Sequence, residues 1–147
     1  MPSFRAMGSD EIETTISREL YLNGFTLMGL RVYETLLLIK YLKYKEFIDE
    51  YKIGIMGHSG GSNTAYLVSR ISPDLQAGVY DLYSDLLDLR DGNKIHCETI
   101  PNLAYYTTQI NTPSTLKFPF RKFEYGYRSQ NAEQELISFF KEKLMKE

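Results

Sequence analysis

Apolar positions along the chain switch between helical and extended spacing. Leu27, Leu30, Tyr33, Leu37 and Tyr41 recur three and four residues apart, which predicts a helix that opens at Thr26 and ends near Lys43, before the charged stretch Lys43-Tyr44-Lys45-Glu46. Its apolar face is broad, with Arg31, Glu34 and Lys40 as polar positions. A helix that apolar is expected to pack against a sheet. Lys52 to Gly57 is a short, mostly apolar run closed by glycine, the pattern of a buried parallel strand. Ser62 to Arg70 reads as a helix stopped at Ser72-Pro73, since proline pushes its predecessor out of the helical region. Gln76 to Leu82 reads as the next strand. Strand, helix and strand in succession predict a βαβ unit, with parallel strands and a right-handed crossover.

The flanks carry weaker patterns. Residues 1–12 are polar and expected to be loose, and Thr14 to Leu22 fits a short helix. Tyr83 to Ser114 contains Asp85, Asp88 and a turn signal at Asp91-Gly92-Asn93. It reads as an irregular excursion with one short helix around Asn102 to Gln109. Leu116 to Tyr127 is aromatic and extended, a late strand interrupted by Pro119. Asn131 and Gln134 have the spacing of a capping box. The helix behind them places Leu136, Phe139 or Phe140, and Leu144 on one face. No repeat or low-complexity stretch divides the chain, so a single α/β domain over residues 1–147 is expected.

Composition narrows the function classes. With 17 basic and 19 acidic residues the net charge is -2, which gives no electrostatic reason to expect nucleic acid or an anionic membrane. No apolar run approaches the ~20 residues of a membrane helix. The first residues lack the apolar core of a signal peptide, so the cytoplasm is the default compartment. A single cysteine, Cys97, leaves no internal disulfide; a buried or half-buried thiol is expected there. The 12 Tyr and 8 Phe suit a core and its rim. No His/Cys/Asp/Glu spacing fits zinc or calcium, and no Gly-Lys-Ser/Thr follows the glycines near Ser59. No cofactor or metal is expected.

Candidate chemistry concentrates in Gly57-His58-Ser59-Gly60-Gly61. This is a G-x-S-x-G pattern between a predicted strand and a predicted helix, the context of a nucleophile elbow. A tight strand-to-helix turn would lift Ser59 Oγ clear of the sheet and aim the Gly60 N–H where it can stabilise an oxyanion. Glycine is expected at 57 and 61 because a side chain at either would collide with the neighbouring strand or helix. A plain glycine-rich turn capped by serine is the alternative.

Gly24 to Glu34, followed by Ile53 to Gly61, resembles the acetyl-xylan-esterase-like and dienelactone-hydrolase-like branches of the α/β-hydrolase superfamily. His96-Cys97 and Ile100-Pro101-Asn102-Leu103 resemble a later segment of the same branches. The similarity runs from about Gly24 to about Leu103. It implies a partial α/β-hydrolase fold, a mostly parallel sheet flanked by helices, with Ser59 as nucleophile and Gly60 as one oxyanion donor. The implied substrates are small acyl esters, including acetylated sugars.

Departures from that pattern are specific. Only two histidines exist. His58 adjoins the nucleophile and is expected to pack in the elbow. His96 is the base candidate, although it precedes the strand that carries the acid in the family. Glu124 is the closest positional candidate for the acid, with Asp81 and Asp85 as alternatives. The first strands of the family, and the loop that completes its oxyanion hole, have no counterpart before Gly24. One sheet face is therefore expected to lie open. Two readings follow: a serine ester hydrolase, or a catalytically incomplete remnant that acts as a binding protein or associates with itself through an exposed sheet edge or its Tyr/Phe-rich surface.

Overall fold

The computed structural model describes residues 9–58, 60–81, 120–122 and 132–145. Within them lie four helices and three strands. They are α1 (Asp10–Leu22), α2 (Leu27–Lys43), β1 (Gly54–His58), α3 (Gly60–Ile71), β2 (Ala77–Asp81), β3 (Phe120–Lys122) and α4 (Ala132–Leu144).

Local chemistry sets the helix ends. Ser9 caps α1, its Oγ accepting from the Ile12 N–H at 3.2 Å; the helix thus covers residues 10–12, which sequence polarity had suggested were loose. At the other end Gly24 takes φ +79°. Its N–H donates to Tyr21 O, and the Phe25 N–H donates to Leu20 O, the paired bonds of a Schellman stop. Two residues later Thr26 caps α2, its Oγ1 accepting from the Gly29 N–H at 2.9 Å. The Gly-x-Thr-x-x-Gly run is therefore a joint: one helix stops at Gly24 and the next starts at Thr26.

β1 and β2 pair in parallel, with Gly54 opposite Ala77 and His58 opposite Asp81. β3 pairs in parallel with the other side of β2, giving the order β1-β2-β3. The βαβ unit read from the sequence is present. β1 has one hydrogen-bonded neighbour among the described residues.

Both faces of β1 and β2 carry helix. Ile55 packs against a cluster that joins Met28, Val32 and Ile39 of α2, Val68 of α3, Ile53 and Leu75. The other face meets α4: Ala77 and Val79, the register partners of Gly54 and Met56, cluster with Phe139. A Cβ on Gly54 would stand 2.7 Å from the Phe140 ring. Strand side chains alternate between faces, so these clusters lie on opposite sides of the sheet. On that face α4 covers β2 and the Gly54 end of β1, while Met56 stays 50% exposed; the open face expected from sequence is thus covered in part, by the residues Leu136, Phe139, Phe140 and Leu144 that the periodicity of α4 selects.

α2 departs from its reading. Its buried residues are Leu27, Met28, Arg31, Val32 and Ile39, while Tyr33, Leu37 and Tyr41 are exposed. It packs against α3 and α1 and meets the sheet through Ile55. Buried Arg31 faces Glu13 of α1, Nη2 to Oε1 at 3.3 Å.

Candidate functional site

The C-terminal ends of β1 and β2 share one edge of the sheet. Open α/β sheets commonly bind ligands outside that edge. His58 and Asp81 are Cα partners there, and Gly60 opens α3 directly after β1. The Gly60 N–H is therefore among the first four of a helix, which have no partner within it. No acidic residue occupies the first turn of α3, so no carboxylate of the helix itself offsets the positive end of its dipole.

Gly57 shows how tight the turn is. A Cβ built on it would lie 2.0 Å from Gly61 O and 2.8 Å from Ser62 N. No real side chain tolerates that approach, so the first turn of α3 rests directly on β1. Ser62, which is 1% exposed, locks the contact by donating from Oγ to Gly57 O at 2.6 Å. Gly61 behaves otherwise than expected: a Cβ there would meet nothing within 4 Å. The collision expected from both glycines belongs to Gly57 alone, because Gly61 supplies the backbone that Gly57 must accommodate.

α3 is then fixed to α2. Thr64, 2% exposed, donates from Oγ1 to Met28 Sδ at 3.4 Å. Ser62 and Thr64 were not singled out from sequence; their signal is a pair of small hydroxyl residues just inside a helix that follows glycines.

Of the sequence-derived candidates, Gly60 and Asp81 stand at the carboxyl edge of the sheet. Ser59, Asp85, His96, Cys97 and Glu124 lie outside the described residues, as do the helix read at 102–109 and the Asn131 cap. Among the described residues no cluster of three His, Cys, Asp or Glu could hold a metal. No helix among them is long and apolar enough to cross a membrane.

A concavity of about 540 Å³ lies elsewhere, lined by Leu36, Lys40, Lys43, Ile71 and Asp74 among others. It sits at the C-terminal end of α3, about 16 Å along the helix from Gly60 at 1.5 Å per residue. There Lys43 Nζ bridges Asp74 at 2.5 Å and Glu50 at 3.6 Å. Every charged group named in that bridge has its counterion, so the concavity is not assigned to the chemistry of the elbow.

Comparison with protein-family models, with curated proteins and with solved structures finds no match.

Proposed function

We propose that the chain is a serine ester hydrolase of α/β-hydrolase type, acting on small acyl esters that include acetylated carbohydrates. What carries the reading is the contact of Gly57 with the backbone of Gly61. A strand running so closely into a helix is the geometry that a G-x-S-x-G elbow requires. The parallel strand before it and the helix after it supply the context.

In this mechanism Ser59 Oγ attacks the ester carbonyl carbon while a base takes its proton. The Gly60 N–H, at the positive end of α3, stabilises the oxyanion. Collapse expels the alcohol, which regains the proton, and leaves an acyl-Ser59 that water hydrolyses. The order Ser, acid, His leaves His96 as the base only with Asp81 or Asp85 as acid; Glu124 follows it in the chain. Asp81 has in its favour a place beside β1 on the same sheet edge.

The histidine count favours a second reading. Only His58 and His96 exist, and none follows Cys97, so a catalytically incomplete relative is the alternative. One experiment separates the two. A fluorophosphonate probe is expected to label the wild type and spare Ser59→Ala. Hydrolysis of p-nitrophenyl acetate is expected to fall at least a thousandfold in Ser59→Ala and in His96→Ala, in line with losses of ~10⁴ or more for triad members. Equal labelling and equal rates in wild type and Ser59→Ala would refute the esterase.

A further inference from the structure

The first turns of α3 bury three polar residues in succession, Ser62, Asn63 and Thr64. The outer two have partners. Ser62 Oγ donates to Gly57 O of β1, and Thr64 Oγ1 donates to Met28 Sδ of α2. Asn63 lies about 100° from each around the helix axis, apart from both contacts. It is 8% exposed, yet its carboxamide has no hydrogen-bond partner among the described residues. The sealed, unpartnered side-chain atoms among those residues are Arg31 Nε and Nη2, so the Asn63 amide still meets solvent-accessible space. A buried amide left unpaired destabilises a fold, and its retention calls for an explanation.

Its place in the helix is specific. Asn63 follows Gly60 by three residues, a spacing that sets two residues side by side on a helix, and helical side chains lean toward the N-terminus. The carboxamide therefore lies beside the turn where α3 leaves β1, the end whose N–H groups have no partner within the helix. Gly60 and Asn63 are about 4.5 Å apart along the axis at 1.5 Å per residue. That is too far for the amide to share an oxyanion held by the Gly60 N–H. It suits a group a few bonds away on the same ligand.

We infer that Asn63 is a specificity-determining residue: its carboxamide hydrogen-bonds a free hydroxyl on the alcohol portion of the ester, close to the bond that is cut. A carboxamide both donates and accepts. A carboxylate or phosphate satisfies Nδ2 but repels Oδ1, and a hydrocarbon satisfies neither. A hydroxyl gives one hydrogen bond and takes another. The small acyl groups proposed above are too short to carry it, so the hydroxyl belongs to the alcohol. The inference rests on the esterase reading for the ester itself, while the hydroxyl contact has a readout of its own.

Two esters test it on the full chain. Glycerol monoacetate carries free hydroxyls beside its ester, and ethyl acetate carries none. Asn63→Leu keeps the approximate shape and removes the amide. It is expected to lower kcat/KM for glycerol monoacetate about tenfold more than for ethyl acetate, the worth of one hydrogen bond. With no partner in the protein to lose, Asn63→Leu is also expected to melt no lower than wild type. A drop of several degrees assigns the amide to the fold and overturns the inference. Binding is read without turnover in Ser59→Ala. There the side-chain amide resonances of Asn63, identified by their absence from the Asn63→Leu spectrum, are expected to shift on titration with glycerol monoacetate and to stay in place with ethyl acetate. Such shifts without hydrolysis by the wild type sink the esterase and leave Asn63 as a hydroxyl-binding residue. Hydrolysis of both esters in a ratio that Asn63→Leu does not change overturns the inference and leaves the esterase. No shift with glycerol monoacetate, or equal shifts with both esters, overturns the inference whatever the rates.

Discussion

Arg31 and Glu13 carry the clearest expectation for a single side chain. The guanidinium is 6% exposed and the carboxylate 17%, while Arg31 Nε and Nη2 lack an aligned hydrogen bond. The pair holds by charge at 3.3 Å rather than by a bidentate fit. Removing one partner of a buried pair leaves an uncompensated charge, at a cost of about 3–5 kcal/mol, whereas an apolar replacement of matching shape is near neutral. Denaturant titration is therefore expected to show Glu13→Ala far less stable than wild type, and Glu13→Ala/Arg31→Met close to it. Lys43 gives a pH signature. Its hydrogen bond to Asp74 raises its pKa above 10.5, opposed by desolvation and aided by the charges of Asp74 and Glu50. A raised folded-state value means the contribution is complete below 10.5 and fades as pH climbs past the raised value. From neutral pH upward, the melting-temperature gap between wild type and Lys43→Met is expected to stay constant to pH 10.5 and to close above it. At the elbow, Gly57→Ala forces a methyl against backbone and is expected to cost about 3 kcal/mol or more. Gly61→Ala enters open space and is expected to be neutral or stabilising by about 0.4–1 kcal/mol. Thermal unfolding of the two variants checks the contrast.

Among elements, α4 and α2 show what a periodic pattern does and does not say. α4 has one apolar face, so Leu136, Phe139 and Leu144 identify the buried side directly. α2 is apolar around most of its circumference, and two faces satisfy a three-four spacing. The tyrosine-bearing face, which is the more regular in sequence, is the exposed one. The buried face holds Arg31, whose charge hid it until Glu13 of α1 supplied the counterion. That pairing spans two elements and leaves no trace in local spacing. The Gly24–Gly29 joint was legible as a motif but not as a cause. Its glycine and threonine are fixed by a helix stop and a helix start, needs of the backbone rather than of any substrate.

At the scale of the molecule, the parallel pairing of β1 with β2 and the order of strand β1 and helix α3 were legible, because apolar runs closed by glycine and proline state them locally. The position of α4 over Ala77 and Val79 was not, since it depends on contacts between residues far apart in sequence. Parallel pairing of β1 and β2 through α3 also has a kinetic consequence. The unit from Gly54 to Asp81 is one unbroken stretch of chain, so its two strands meet after a short loop closure. β3 and α4 join only after the chain beyond Asp81 has looped back, which entropy delays. The crossover unit is expected to form first and to be largely assembled at the folding barrier. Val68→Ala, inside it, is then expected mainly to slow refolding, and Phe139→Ala, outside it, mainly to speed unfolding, as read from the two arms of a stopped-flow chevron.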